Sequence, residues 1–384
     1  MIKGWKNTII GDLVKFQRGH DLPDSQREDG NIPVVGSAGI NGYHNQVKAK
    51  APGVTIGRSG ASIGKAFYIN QDYWPHNAAL YVKDFKGNHP KFVYYFLKST
   101  DFSFLNSGSA QPSLNRNILH AIKVVIPPLE TQKKIAAILS AYDDLIENNK
   151  RRIALLEKMA EEIYREWFVR FRFPGWQNTE FEKGIPKDWK ISTLGNSGNY
   201  INGYAFKPTD WFSEGLPIIK IKELTSVISE NTPRNQGEDI SQKYFIDDGD
   251  LIFSWSATLL VQIWNQGRGI LNQHLFKIEP KKDIPRDFLY FAILFALPIF
   301  ESLTTGATMK HIKRKELHMV KLPIPDQITL SKFEEKVQPI TNHILILHKK
   351  NRLLEQTKNS LLPRLISGKL SVEELDIAFP PSMQ

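Results

Sequence analysis

The stretch that decides the fold runs from Ile126 to Phe171 and reads IPPLETQKKIAAILSAYDDLIENNKRRIALLEKMAEEIYREWFVRF. After the two prolines, apolar residues recur every three or four positions from Leu129 to about Phe168, which is the spacing of one face of an α-helix. At the rise of an α-helix this predicts a helix roughly 55–60 Å long. A helix of that length with one narrow apolar face needs a partner along it, so a second long helix is expected.

The expected partner lies near the end of the chain. Helical spacing of apolar residues returns from Ile328 to about Ile366, and we expect the two helices to pack as an antiparallel, coiled-coil-like pair. Asn149 lies on the apolar face of the first helix and Asn351 on that of the second. Two interpretations stay open: the asparagines mark ends of helical segments, or they contact each other and set the register.

The strand-rich segments that precede the helices are copies of one another. Trp5 and Gly11 correspond to Trp189 and Gly195, and further correspondences follow in the same order at slightly larger offsets. These are Gly53 with Gly249, Ile56 with Ile252, Leu80 with Phe276, Arg116 with Arg314, and His120 with His318. The predicted fold class is α+β, with two strand-rich α/β domains in tandem, separated and bridged by the two helices. The predicted divisions are residues 1–127, 128–172 (first helix), 173–325, and 326–384 (second helix and tail).

Composition and charge limit the function classes. The 384 residues include no cysteine, which excludes disulfides, zinc–thiolate sites and cysteine nucleophiles. The net charge is +10, mostly from residues 1–127, which favours an acidic polymer such as nucleic acid as partner. The longest apolar run, Phe288 to Phe300, is too short for a membrane span, and the N-terminus has no signal-peptide core. We therefore expect a cytoplasmic protein without a membrane segment.

Motifs of common catalytic sites are missing from the sequence. The histidines are scattered without metal-ligand spacing, and Pro127-Pro128 lacks the neighbours of the Asn/Asp-Pro-Pro-aromatic element of base methyltransferases. Asp250, Glu279 and Lys281 could serve a nuclease, but the first copy does not repeat them. We expect no catalytic residue, no cofactor and no metal in this chain.

A glycine-rich stretch, GRSGASIGKA from Gly57 to Ala66, partly matches a phosphate-binding loop. The P-loop pattern is G-x-x-x-x-G-K-[ST], and Ser59 and Ala66 break two of its defining positions. The second copy keeps only a strand that ends in a small, hydroxyl-rich turn, which aligns Ser59 with Trp255. Such a turn lets a nucleic-acid backbone come close, and Arg58 with Lys65 could reach phosphates or guanine edges.

A second candidate surface lies at matched points of both copies, in residues 106–120 and 305–318. Each opens with glycine and a small residue and continues as a short helix that carries Arg116 or Arg314. A solvated helix face explains such a run as often as function does, but the matched position favours nucleic-acid binding or helix docking. The full set of candidate DNA-binding residues is Arg18, His20, Tyr43, His44, Arg58, Ser59, Lys65, Gln111, Arg116, Tyr204, Lys220, Ser254, Trp255, Ser256, Lys310, His311, Lys313 and Arg314.

With these features the chain resembles the specificity (S) subunits of Type I restriction–modification systems, over nearly its whole length. The resemblance rests on Trp5 and Trp189 before IIGD and TLGN, on the stretch from Ile126, and on the closing LLEQTKNSLLPRLISGKL. It implies two target-recognition domains, each reading one half of a bipartite, asymmetric site in double-stranded DNA, with helices that set the spacing and dock the methyltransferase (M) subunits.

The resemblance also implies that the chain is not an enzyme by itself. Adenine-N6 methylation would belong to two M subunits, and ATP-dependent cleavage to restriction (R) subunits in the full complex. The alternative from a different class is a two-headed helical scaffold that binds protein partners. Such a scaffold would show no sequence-selective DNA binding, even with the M subunit present.

Overall fold

The computed structural model describes residues 4–102, 113–303 and 311–383. Contacts between residues divide the chain into two compact units: unit 1 comprises residues 1–147 and 354–384, and unit 2 comprises residues 148–353. Each unit therefore contains one strand-rich segment together with part of each long helix. The tandem α+β architecture predicted from the sequence is confirmed.

The helices are α1 Ile10–Leu13, α2 Pro90–Ser99, α3 Arg116–Ala121, α4 Leu129–Tyr164, α5 Leu194–Ser197, α6 Ile221–Thr225, α7 Arg286–Leu303, α8 Arg314–Met319 and α9 Gln327–Ile366. The long helices α4 and α9 begin and end within a few residues of the predicted bounds, and a π-helical turn, Arg165–Val169, follows α4. Within the described ranges, no helix combines the length and the apolar character that crossing a membrane requires.

The strands of unit 1 are β1 Lys6–Ile9, β2 Lys15–Arg18, β3 Ile32–Gly36, β4 Gly39–His44, β5 Gly53–Gly57, β6 Ala66–Ile69, β7 Trp74–Pro75, β8 Ala79–Asp84 and β9 Lys123–Ile126. An antiparallel sheet has the order β2-β8-β5-β6, and a smaller sheet has the order β4-β3-β7 with β3 and β7 parallel. Strand β1 pairs with β9 and so joins the start of the segment to its end.

The strands of unit 2 are β10 Phe181–Glu182, β11 Ile185–Pro186, β12 Lys190–Thr193, β13 Gly198–Asn202, β14 Leu216–Ile219, β15 Arg234–Asn235, β16 Phe245–Ile246, β17 Leu251–Ser254, β18 Leu260–Ile263, β19 Gly269–Leu271 and β20 Leu275–Pro280, with β21 Lys321–Ile324. The order β13-β20-β17-β18 repeats the large sheet of unit 1, and the parallel pair β14–β19 repeats β3–β7. The closing pair β12–β21 repeats β1–β9. The two segments therefore share one topology.

The apolar faces of the long helices enter the cores of both units. In unit 1, Ile135 of α4 and Leu365 of α9 are buried in the same cluster as Phe92 of α2. In unit 2, Phe333 of α9 joins a cluster with Phe288 of α7. The apolar residues at helical spacing were therefore correctly predicted to be buried, because the apolar face of each long helix packs along its length.

In unit 2 the two long helices run antiparallel, as predicted. Asn149 contacts Asn351, and farther along α4 the ring of Tyr164 lies 6.0 Å from that of Phe333, so residue numbers rise on one helix as they fall on the other. The Asn149 side-chain amide donates to Asn351 Oδ1 at 2.9 Å, and both side chains are buried within their helices. A buried amide pair is satisfied in one register only, so the register interpretation is confirmed and the helix-end interpretation is wrong.

The strand pairing corrects the comparison of the two copies by one residue. Ile56 lies opposite Leu80 in unit 1, while the residue opposite Phe276 in unit 2 is Phe253. Matching Ile56 to Ile252 is therefore wrong, since Phe253 holds the corresponding place. Side chains alternate between the faces of a strand, so a slip of one position would exchange buried and exposed sides.

Candidate nucleic-acid interface

In unit 1 a backbone contact joins the two surfaces that the sequence singled out. The turn after β5 begins at Arg58, whose carbonyl accepts a hydrogen bond from the Leu114 N–H at 2.8 Å. Next to it, Ser59 forms a β-bridge with Ser113, just before α3. Gly60 then takes a left-handed φ of 69°, and a Cβ there would meet nothing within 4 Å. The turn is thus fastened to the segment that leads into α3.

Unit 2 repeats this contact with different side chains. The Trp255 carbonyl accepts from the Ile312 N–H at 2.8 Å, and Ser256 forms a bridge with His311. Ala257 follows at a φ of 58°, in the place of the left-handed glycine of unit 1. We call this arrangement of strand-end turn and bridged segment the platform: residues 58–65 with 113–116 in unit 1, and residues 255–259 with 311–314 in unit 2.

The platform of unit 1 carries exposed cations. Lys65 and Arg116 are exposed and Arg58 is half-buried. A groove of about 540 Å³ beside the turn is lined by Lys65, by Lys98 of α2 and by Asp101, which follows α2 in the chain. Sequence reasoning missed Lys98, although its place in the last turn of the predicted aromatic helix was a usable signal. The arrangement suits an anionic ligand.

The positive charge near this platform affects the pKa of a nearby histidine. His120 of α3 has its pKa lowered by burial first and then by Arg116, Lys86 and Lys15. Its Nε2 accepts a hydrogen bond from the Phe16 N–H at 3.0 Å, which requires the neutral ring. Three cations close enough to act on one imidazole produce the kind of local field that attracts phosphate.

The platform of unit 2 is aromatic rather than basic. The half-buried indole of Trp255 lies 5.8 Å from the ring of His311 and 5.9 Å from that of His274. Trp255 Nε1 and His311 Nδ1 are buried and have no hydrogen-bond partner among the described residues. A buried polar atom without a partner is costly in a folded protein, so each of these two atoms calls for a partner from outside the described residues.

The two short platform helices begin with arginines that behave differently. Arg314 Nη2 donates to the Tyr200 carbonyl at 2.9 Å and so fastens α8 to the sheet. Lys313, just before it, is exposed. Of the two interpretations of this surface, helix docking describes Arg314, while Arg116 and Lys313 keep their charges toward solvent.

A second pair of matched positions lies at the ends of β2 and β13. His20 and Tyr204 form corresponding parallel bridges, with His76 and Asn272. The ring of His20 lies 6.2 Å from that of Trp74, edge to face. Both side chains are half-buried, so they present an edge rather than a whole ring to a ligand.

The remaining predicted residues divide by exposure. Arg18 is exposed at the end of β2, and Tyr43 is 54% exposed on β4. His44 is 3% exposed and accepts from the Glu28 N–H through Nδ1, and Ser254 is fully buried. Ser256 is also buried, at 6%.

Burial corrects three of the predicted contacts, His44, Ser254 and Ser256. A polyanion needs donors at the surface, so these side chains support the fold, and Ser256 contributes through its backbone. Gln111 and Lys310 lie outside the described residues.

Sequence reasoning identified Lys220 but missed other cations that lie over aromatic rings in unit 2. Lys220 was predicted, and its Nζ lies 3.8 Å from the centre of the Trp211 ring, which is 44% exposed. Lys243 lies over Tyr244 and Arg268 over Phe245, at 4.9 and 5.1 Å. The alternation of aromatic and basic residues in this part of the sequence was the available signal, because cation–aromatic pairs recur where proteins bind bases and phosphates.

In the described part of the chain, no three His, Asp or Glu side chains come together as a metal site would need. Asp250 forms an ion pair with Lys277 at 3.0 Å, and Glu279 accepts from the Asn199 amide. These contacts give both carboxylates of the nuclease alternative a structural role.

Comparison with known proteins finds similarity to specificity subunits of type I restriction enzymes. A family model described as the Type I restriction modification DNA specificity domain matches residues 2–158 and 186–361. The MjaIX specificity subunit of a type I restriction enzyme from Methanocaldococcus jannaschii is 29% identical over 304 residues, which cover 74% of this chain and 70% of that protein. The MjaVIII specificity subunit from the same organism is 23% identical, over 97% of this chain and 94% of its own length.

A solved structure shares the fold. The crystal structure of the S subunit of a Type I restriction-modification system from M. genitalium matches with a TM-score of 0.61 at 16% identity. The match covers 94% of this chain and 96% of that one.

Proposed function

The chain belongs to the family of Type I restriction modification DNA specificity domains, and from this premise we propose that each platform reads one half of a bipartite, asymmetric DNA site. The observation that carries the proposal is the shared backbone contact, Arg58 with Leu114 and Trp255 with Ile312. One scaffold holds two different sets of side chains at the same place, so the two half-sites are expected to differ.

The two platforms would contact DNA by different physical means. In unit 1, Arg58, Lys65 and Arg116 supply charge for phosphates and for guanine edges. In unit 2, the half-buried rings of Trp255 and His311 supply aromatic surface for stacking, and the exposed Lys313 supplies a cation. We expect the half-site read by unit 1 to depend more steeply on salt.

We further propose that residues 1–127 and 173–325 are the two target-recognition domains, and that residues 128–172 and 326–384 are the spacers. The spacers would set the gap between the half-sites and dock two M subunits, with R subunits joining the full complex. Exposed apolar side chains on the long helices support docking: Leu155 is 64%, Met159 53% and Ile346 52% exposed. Exposed apolar patches on helices mark surfaces that partners cover.

The test is a binding titration of the chain with its M subunit on DNA whose half-sites are scrambled one at a time. The double variant Arg58→Ala with Lys65→Ala should weaken binding through one half-site only. Its salt slope should fall by about 0.9 for each phosphate that the variant no longer neutralises. The matched control, Lys83→Ala with Lys123→Ala, removes the same charge from exposed positions of unit 1 outside the platform and should leave both half-sites intact.

Two results would overturn the proposal. Equal losses through both half-sites, or equal losses in the control, would show that the platform acts through general charge alone. Absence of sequence-selective binding with the M subunit present would favour the scaffold alternative.

A further inference from the structure

Unit 2 contains a cavity of about 260 Å³ that DNA reading does not use. It lies among α4, α7, α9 and β18. Ala160 of α4 lines it, and its polar lining residues are Glu157, Glu161, Gln262, Asn265, Tyr290 and Thr341. Because the chain contains an internal repeat, unit 1 contains a corresponding place.

The long helices correspond residue by residue. Leu129 begins α4 and Gln327 begins α9, 198 positions apart. Buried pairs at this spacing are Ile135 with Phe333, Leu139 with Val337, Tyr164 with Leu362, and Trp167 with Leu365. Ala160 therefore corresponds to Lys358, and both are buried.

In unit 1 the side chain of Lys358 fills the corresponding space. Its Nζ lies 2.5 Å from Asp143 Oδ1, and the Tyr95 hydroxyl donates to Asp143 Oδ2. Burial and Asp143 raise the pKa of Tyr94 to about 12, and the charge of Lys358 partly opposes that rise. A buried ammonium is thus held between a carboxylate and two tyrosines of α2.

In unit 2 one tyrosine remains, but the lysine and its carboxylate partner do not, since Thr341 stands at the position of Asp143. Tyr290 holds the place of Tyr94, and Ala160 stands where the aminobutyl chain of Lys358 would be. The cavity lies beside Ala160, and Glu157 and Glu161 of α4 bring carboxylates to it, as Asp143 does to Lys358 in unit 1. Unit 1 therefore shows that a lysine side chain is accommodated at this position when a carboxylate pairs with it.

The surroundings of the cavity are negative. Burial raises the pKa of Tyr290 to about 12, and Glu157, Glu161 and Asp287 add to the rise. Glu161 pairs with Arg165 at 2.5 Å, and Asp287 pairs with Arg286, whereas Glu157 has no ion-pair partner among the described residues. Burial also raises the pKa of the Glu157 carboxyl. A cation in the cavity would relieve this imbalance.

We propose that this cavity binds a primary alkylammonium group, supplied by a lysine side chain of a partner chain or by a free polyamine. The Glu157 carboxylate would accept from the ammonium, together with Gln262 Oε1, which is buried and lacks a hydrogen-bond partner among the described residues. The ring of Tyr290 adds a cation–π contact. The methylenes would lie on the apolar wall formed by Phe291 and Leu345.

The test measures the melting temperature of the full chain with n-butylamine and with n-butanol at constant ionic strength. n-Butylamine should raise it by a few degrees, since a ligand that binds only the folded state stabilises it, and n-butanol should not. Ala160→Lys should raise the melting temperature without any amine and abolish the response. An unchanged response in Ala160→Lys, or an equal response to butanol, would overturn the proposal.

Unit 1 supplies the matched control. Lys358→Ala should lower the melting temperature and create a second amine site, so that n-butylamine restores stability and the binding stoichiometry rises from one to two. Lys358→Met keeps the side-chain volume without the charge and should not respond in unit 1. Failure of n-butylamine to rescue Lys358→Ala would remove the comparison on which the proposal rests.

Measurements on the complex with the M subunit distinguish the two sources of the amine. This experiment rests on the proposed function. If a partner lysine fills the cavity, the complex loses its response to putrescine, and Ala160→Lys weakens assembly several-fold. If a free polyamine fills it, the complex keeps the response and Ala160→Lys assembles normally. Both results support the site, and the measurements on the chain alone stand even if DNA reading fails its own test.

Discussion

The Asn149–Asn351 contact makes the sharpest prediction about the long helices. The two amides meet at 2.9 Å with 9% and 8% of their side chains exposed. Asn149→Leu would leave the Asn351 amide buried without its partner, which costs about 1–3 kcal/mol. The double variant Asn149→Leu with Asn351→Leu removes both polar groups, and replacing both partners by apolar groups is nearly neutral. The double variant should therefore be more stable than either single variant.

Hydrogen exchange measures this locally, which suits a chain of two units whose global unfolding need not be a single step. Amides of α4 around residue 149 should exchange roughly 5- to 150-fold faster in each single variant, corresponding to about 1–3 kcal/mol. In the double variant, protection should return most of the way to that of the wild type. The outcome that would refute the reasoning is additivity, with the double variant losing as much as the two single variants together.

Two further predictions concern the turns of the platforms and His120 of α3. Ala257 holds a left-handed φ of 58° where Gly60 holds 69°. Ala257→Gly should therefore stabilise the chain by about 1 kcal/mol, and Gly60→Ala should destabilise it by a similar amount. Changes of the same sign in the free energy of unfolding, measured by urea titration, would contradict this. His120 has its pKa lowered in the folded chain, so the unfolded chain binds the proton first and stability falls as pH drops below about 6.5. His120→Gln keeps an acceptor for the Phe16 N–H, and its melting temperature should fall less between pH 7.5 and 5.5 than that of the wild type. A fall as large as that of the wild type would show that other groups cause the pH dependence.

The long helices and the repeat could be predicted from sequence because each is a long signal. Helical spacing persists over the whole of α4, from Leu129 to Tyr164, so one or two irregular positions do not hide it. The α9 helix runs through Pro339 and Pro363 without a break, since packing along its length compensates for the missing backbone bonds.

The platform residues could be predicted only in part, because short strands carry little register information. A four- or five-residue strand permits a shift by one position at small cost to the sequence comparison, and that shift turns inward-facing side chains outward. Ser254, which the sequence offered as a DNA contact, is fully buried. The backbone contact of Arg58 with Leu114 joins residues far apart in sequence. No local sequence pattern predicts such a contact.

Divergence between the repeats separates residues that hold the fold from residues free to specialise. Where a backbone bond must be kept, both repeats keep it, as Trp255 and Arg58 do through their carbonyls, and the side chain is then free to differ. Where Ala160 stands in place of Lys358, a cavity remains, and its negative charge comes from Glu157 and Glu161 because Thr341 stands in place of Asp143. Unit 2 thus keeps one of the tyrosines and places the carboxylates of Glu157 and Glu161 beside a vacant volume, without the lysine that fills this place in unit 1. That combination is what an external amine requires, whereas a position that had only given up a structural role would more simply have closed the space with a larger apolar residue at position 160.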